Sequence, residues 1–238
     1  MDILGVRIDN LSRKEILEKV EFFLNRQKFH QIATINPEFV LQAQVDFDFE
    51  KILNGCALNV ADGIGIKFAF WRYGKQLKRR IAGADLMHDV LRVADRRRLK
   101  VFLAASAHGL STWQETATVL GVLYPDVEFS GDNIDPLDFT YNLKRKDYDL
   151  LLCGFGAPHQ ERFINSVKND TIRLAMGVGG SFDFVTGKIS RAPKLWRKIG
   201  LEWLWRFIQE PGYRAKRIFN AIIVFPIKII FKKNERSY

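Results

Sequence analysis

Residues 148–161 read YDLLLCGFGAPHQE, and this stretch decides the fold. A short apolar run, Leu150 to Cys153, breaks at Gly154 and Gly156 and gives way to polar residues that open a helical pattern. The same succession recurs outward along the chain. ILGVRI at 3–8, QIATI at 31–35, ALNVA at 57–61, KVFLAA at 100–105 and RLAMGV at 173–178 are strand-like runs, most of them ending in glycine or polar residues ahead of a helix-like segment. Between the first two, LSRKEILEKVEFFL has helical spacing, with Ser12 placed to cap its start. Strands alternating with helices predict an α/β fold with a mostly parallel sheet. In such sheets ligands bind beyond the carboxyl ends of the strands, so the residues after each strand are the first candidates for a site.

Those residues are Asn36-Pro37, Asp62-Gly63, APHQE after CGFG, and SFDF after RLAMGVGG. Polar side chains beside glycines at successive strand ends describe one polar pocket in which backbone N–H groups can approach an anion. Singly, Asn36, Asp62 and Ser181 are equally suited to capping helices. GFGAPH, GVGGSF and GIGIKF each begin like a dinucleotide motif and none completes it, so no nicotinamide cofactor is expected; a phosphate or diphosphate ligand is compatible. Asp62 follows an apolar strand, where partial desolvation raises a carboxyl pKa and suits it to general-base work on a hydroxyl. KQLKRRIAGADL offers Arg79, Arg80, Gly83 and Asp85, read either as a solvated basic turn or as a guanidinium set against a leaving diphosphate. Gln160 and Glu161 add hydrogen-bonding capacity of the kind that reads sugar hydroxyls. Asp46-Phe47-Asp48 has the form of a metal-holding D-x-D, but it reads as the solvated face of a helix end, and the four histidines lack ligand spacing, so no metal is predicted. Cys56 and Cys153 sit in apolar surroundings and read as buried, reduced thiols.

Charge divides the chain. Residues 191–238 hold twelve Lys/Arg against three Asp/Glu, so this segment carries nine of the ten net positive charges. Domain boundaries follow: an α/β catalytic core at 1–190 and a basic, Trp-rich appendage at 191–238. MDILGVRIDN lacks the features of a signal peptide, which predicts a cytosolic protein. Trp196, Trp203 and Trp205 suit a lipid headgroup region, and the basic residues around them an anionic surface. The run at 218–231 is interrupted by Pro226 and Lys228, and as a helix it would reach about 21 Å, short of a bilayer core. It is expected to lie in the membrane interface. A basic tail that tracks nucleic acid phosphates and an oligomerisation helix are the competing readings.

Together, TINPEFV, NVADGIGIKFAFWRYG, RRIAGADL, GFGAPHQERF, GVGGSFDFVTGKISRAP and GLEWLWRFIQEPGYRAKR resemble the WecG/TagA/CpsF family of bacterial glycosyltransferases over nearly the whole chain. The resemblance implies a Rossmann-like core with a C-terminal helical membrane-binding appendage. It implies a metal-independent, inverting enzyme without a cofactor that moves a sugar from a UDP-sugar to a polyprenyl-diphosphate-linked saccharide at the inner membrane face. N-acetylmannosamine, its uronic acid and glucose are all open as the sugar, and the oligomeric state is open too. By resemblance Asp62 is the catalytic base. Thr34, Asn36, Arg80 and Gln160 belong to the substrate pocket, and Asp183 falls in the segment lining the nucleotide site. Arg206, Arg214 and Arg217 match basic appendage positions that meet the lipid diphosphate. One departure is His159, where the family often has lysine, which makes any phosphate contact from that side chain pH-dependent.

Overall fold

The computed structural model describes residues 1–231 apart from 139, 142, 144–146 and 170; the end of the predicted appendage, 232–238, lies outside the described residues. The chain opens with a hairpin, β1 (Asp2–Ile3) and β2 (Val6–Arg7), where the pattern over 3–8 predicts a single strand. Leu4 and Gly5 stand at φ 52° and 89°, the left-handed pair that a two-residue hairpin turn requires. Helix α1 (Arg13–Leu24) begins at Ser12 as expected, in a capping box with Glu15. The elements that follow are β3 (His30–Ile35), α2 (Pro37–Ala43), α3 (Phe47–Gly55), β4 (Leu58–Ala61), α4 (Ile64–Arg72), α5 (Gly83–Arg96), β5 (Lys100–Ser106), α6 (Trp113–Leu123) and β6 (Glu128–Ile134). Then come β7 (Leu150–Cys153), α7 (His159–Ser166), β8 (Leu174–Gly177) and the short α8 (Ser181–Val185).

Strands β3 to β8 form one parallel sheet in the order β4-β3-β8-β7-β5-β6. Leu150 and Leu152 of β7 pack into the core built with α1, α5 and α6, while Leu151 and Cys153 face the core under α7. Both faces are covered, which is why these strands read as unbroken apolar runs. Strand β6 pairs only with β5, is half-exposed, and carries Ser130, Gly131, Asp132 and Asn133, so no apolar run marks it in the sequence. Cys56 and Cys153 are free and buried, as expected.

The C-terminal segment is helical: α9 (Lys194–Ile199), α10 (Glu202–Gln209), α11 (Pro211–Phe219), a π-helical turn (Asn220–Val224) and α12 (Phe225–Phe231). The last of these is not free of the core. Phe225 and Ile229 are fully buried in one cluster with Ile35, Phe39, Val40, Ile66 and Phe70, so α12 docks against α2 and α4. Its other face, with Ile223 from the turn before it and with Ile227, Ile230 and Phe231, is exposed. Among the described residues, no helix is long and apolar enough to cross a membrane. The tryptophans of the segment are half-buried. Trp196 and Trp205 meet edge to face at 5.7 Å, the Trp205 indole N–H donates to the Ser190 carbonyl at 3.2 Å, and Trp203 lines the cleft described next.

Candidate active site

A cleft of about 700 Å³ opens over the carboxyl ends of β3, β4, β5, β7 and β8 and is closed on one side by α10, α11 and the π-helical turn. Asp62 stands at its floor. Its backbone continues the sheet, with the Asp62 N–H bonded to the Ile35 carbonyl at 2.8 Å, and Gly63 at φ 80° then turns the chain into α4. The carboxylate accepts from the Gly63 N–H at 2.6 Å and from the Gly83 N–H, at the start of α5, at 3.4 Å. Burial pushes the Asp62 pKa up to about 6; the Glu202 charge adds to the rise, while Arg80 and the two N–H groups restrain it. A carboxylate with a proton affinity this close to neutral pH is ionised there and still a useful base.

The other predicted pocket residues surround it. Thr34, 7% exposed, packs under Gly83, where an added Cβ would stand 3.0 Å from Thr34 Oγ1. Asn36 lines the wall and also caps α2, accepting from the N–H groups of Glu38 at 2.9 Å and Phe39 at 3.1 Å. Gln160 lines the cleft and is bonded within the protein. Its Oε1 accepts from the N–H groups of Gly156 at 3.1 Å and Gly179 at 2.9 Å, and its Nε2 donates to Glu161 at 2.7 Å. It therefore ties together the loops after β7 and β8. Glu161 is 1% exposed; burial pushes its pKa up to about 7, and its Oε2 has no partner. Asp183, in the first turn of α8, accepts from the Ser111 hydroxyl at 2.8 Å and lines the cleft beside Gly180.

Four arginines reach the same cavity. Arg80 donates to the Arg197 carbonyl at 2.6 Å. Arg206 crosses from α10 to Gly180, where an added Cβ would lie 2.8 Å from its Nη2, and its guanidinium stands 5.0 Å over the Phe184 ring. Burial lowers the Arg206 pKa to about 10, with Arg214 and Arg217 adding to the fall and Glu210 and Glu202 opposing it. Arg214 pairs with Glu210 at 2.8 Å, and Arg217 grips both Glu38 oxygens. The inward aim of these cations differs from the exposed basic track that nucleic acid binding demands.

Two sequence features fall outside the site. His159 opens α7 but is not part of the cleft wall. Asp46 lies at the start of α3, not at a helix end: it caps that helix and pairs with Arg162 at 2.7 Å, while Asp48 is exposed. Among the described residues, no group of three or more His, Cys, Asp or Glu is arranged to hold a metal ion. Conversely, the cleft contains groups that the sequence did not single out as site residues: the turn Ser106, His108 and Gly109 after β5, and Glu202 from α10, beside Trp203, which the sequence assigned to a lipid surface. Position after a strand could have flagged the first; nothing local flags one of the few acids in a basic segment.

Comparison with known proteins agrees with this geometry. The model of the glycosyl transferase WecG/TagA/CpsF family matches residues 1–238. An N-acetylglucosaminyldiphosphoundecaprenol N-acetyl-beta-D-mannosaminyltransferase of Staphylococcus aureus strain MRSA252 is 33% identical over 99% of this chain and 94% of its own length. Its counterpart in strain MW2 is 32% identical with the same coverage. With a parallel α/β sheet whose strand ends open into a cleft lined by Asp62 and four arginines, and a family match along its full length, the chain belongs to the WecG/TagA/CpsF family of glycosyl transferases.

Proposed function

We propose that this protein is an inverting transferase that moves N-acetylmannosamine from its UDP-sugar to a saccharide carried on a polyprenyl diphosphate, working at the inner face of the cell membrane. The observation that carries this reading is the convergence of Asp62, Arg80, Arg206, Arg214 and Arg217 on one cleft. Asp62 takes the proton of the acceptor hydroxyl as that oxygen attacks the anomeric carbon, and the C–O bond to UDP breaks on the opposite face. Charge gathers on the departing diphosphate, where Arg80 and the N–H groups of the loops held by Gln160 stabilise it. Arg206, Arg214 and Arg217 serve the diphosphate of the lipid acceptor, exchanging Glu210 and Glu38 for it. The relatives' names supply the choice of sugar and acceptor. No metal and no cofactor enter this scheme.

The membrane part has its own support. Ile218, Ala221 and Ile222 line the cleft next to the arginines, and the exposed Ile223, Ile227 and Ile230 continue that apolar strip outward. Trp71 of α4 is 71% exposed beside it, and Arg72 ties α4 to α12 through the Ile230 carbonyl at 3.3 Å. Lys67, Arg72 and Lys75, exposed on α4 and just after it, add the positive charge that suits an anionic lipid surface. The test is UDP release by the full chain on liposomes, with UDP-N-acetylmannosamine, its uronic acid and UDP-glucose each offered with lipid-diphosphate-linked mono- and disaccharides. Release that needs one donor and one acceptor together is expected. Silence from folded, liposome-bound protein overturns the proposal.

A further inference from the structure

We propose that Glu161 is a positioning residue: through its hydrogen bond to Gln160 it sets which way that amide points, and so holds the two glycine loops that border the cleft after β7 and β8. Its effect on turnover rests on the transferase reading above. Glu161 follows Gln160 on α7, is 1% exposed and is not part of the cleft wall, so it is placed to act through another residue. Among the described residues no cation pairs with it, and its Oε2 has no hydrogen-bond partner. Burying such a carboxyl costs stability, and an apolar side chain would fill the same space without that cost. What the carboxyl supplies and an apolar side chain cannot is an acceptor.

The amide has one orientation that satisfies all its partners. Gln160 Oε1 accepts from the Gly156 N–H at 3.1 Å and from the Gly179 N–H at 2.9 Å. A backbone N–H can only donate, so the amide must present its oxygen to both glycines, and its nitrogen then needs an acceptor on the other side. Glu161 Oε1 is that acceptor, at 2.7 Å. Gly177, at the end of β8, makes room for the pair: an added Cβ there would run into Gln160 Nε2 and stand 2.7 Å from Glu161 Oε1. The tied glycines, Gly156 and Gly179, have φ 79° and 50°, and they line the cleft together with Gly154 and Gly180. Without the Glu161 acceptor the amide nitrogen is left unsatisfied in a buried place, which weakens the orientation that ties the two loops. N–H groups of these loops are the ones set against the departing diphosphate in the proposed reaction, where a misplacement of about 1 Å costs on the order of 100-fold in rate.

The experiment follows the Gly156 and Gly179 amides by NMR in the full chain held in phospholipid nanodiscs. Phe155-Gly156 and Val178-Gly179 are each the single pair of their kind in the sequence, so 13C at the Phe and Val carbonyls with 15N in glycine singles out the two signals. Wild type is compared with Glu161→Met, which removes the acceptor at similar volume, and with Glu161→Gln, which keeps an acceptor oxygen. Turnover is recorded on the same samples. In Glu161→Met, solvent exchange of both amides should accelerate, and kcat should fall, each by about ten-fold or more. Glu161→Gln should keep both near wild type, and in a Gln160→Met background Glu161→Met should cost no further turnover. Exchange as slow in Glu161→Met as in the wild type overturns the proposal. So does a Glu161→Gln variant as impaired as Glu161→Met, or a further loss of turnover in the Gln160→Met background. Faster exchange with unchanged kcat overturns the effect on turnover. The amide signals need no substrate, so if the wild type itself turned over no UDP-sugar, the transferase reading would fail while these signals still decided the role of Glu161.

Discussion

Truncating Phe225 to alanine asks whether the end of the chain is an appendage or a part of the core. The Phe225 ring is fully buried, and with Ile229 it supplies the inner face of α12. Burying each such side chain contributes about 1.5–3 kcal/mol, so the two together hold α12 down by roughly 3–6 kcal/mol. Removing the ring costs about 3–5 kcal/mol, cavity included, which is most of that docking energy. The loss should therefore appear as local opening and not as global unfolding. A change of 3 kcal/mol or more multiplies the opening equilibrium by roughly 100-fold, so amide exchange in a peptide covering 218–231 should accelerate by at least about that factor. The melting midpoint of the sheet should move much less than the roughly 6–20 °C expected if 3–5 kcal/mol fell on a single cooperative unit of this size. The assay is hydrogen exchange with mass readout beside a thermal melt, in lipid-free buffer. Ile227→Ser on the opposite, half-exposed face of the same helix is the control, and it should leave both readouts within about 0.5 kcal/mol of wild type. Unchanged protection of 218–231 in Phe225→Ala would refute the docking argument. A fall in global stability by the full amount would show that α12 is one cooperative unit with the sheet.

Other expectations are as direct. Asp62→Asn should keep UDP affinity, read by titration calorimetry, and lose about 10²–10⁴ in turnover. Wild-type turnover should rise as pH passes about 6 and then level, because the base works unprotonated. Glu161 has a folded pKa raised to about 7 from an ordinary value near 4.5, so the stability it contributes is complete below about pH 4 and lost as pH rises through 7. Glu161→Gln, neutral throughout, should accordingly stabilise the protein by on the order of 3 kcal/mol at pH 8 and by little at pH 4, measured by urea unfolding. Trp71→Ser should weaken sedimentation with anionic vesicles several-fold and leave the melt unchanged; equal sedimentation would remove α4 from the membrane-facing surface.

Most of the sheet is legible in the sequence because burial on both faces makes a strand an unbroken apolar word, as in Leu150 to Cys153. Where that condition fails, so does legibility. Strand β6 is an edge and reads as polar, and the run at 3–8 folds back on itself because Leu4 adopts a left-handed conformation that no apolar pattern announces. The site divides in the same way. Asp62, Asn36 and the glycine turns follow strands, so topology alone gathers them. Gln160 was visible as a strand-end residue, but its bonding to the loops of β7 and β8 depends on a spatial closeness of positions 160 and 179 that composition does not encode. Glu202 was hidden in a segment whose net charge pointed outward, toward a surface, whereas it lines the cleft.

The C-terminal charge itself can now be divided by where it points. Arg191, Arg197, Arg206, Arg214 and Arg217 are all partly or largely buried, and four of them pair with Asp85, Glu210 or Glu38, so a good part of the segment's positive charge is turned inward. What it offers outward is mainly apolar: Leu195, Ile199, Ile208, Ile223, Ile227, Ile230 and Phe231. On the proposed function this arrangement has a mechanical consequence. A diphosphate seated among Arg206, Arg214 and Arg217 lies within one helix width of the outer face, and its hydrocarbon chain can leave past Ile218 and Ile222 without crossing a polar barrier. Helices that line the cleft on one side and meet lipid on the other cannot be removed without opening the site, so on this reading membrane contact and acceptor binding depend on a single docking equilibrium. A shift in that equilibrium, as in Phe225→Ala, should then lower lipid binding and turnover in step, and loss of one without the other would separate the two roles of the segment.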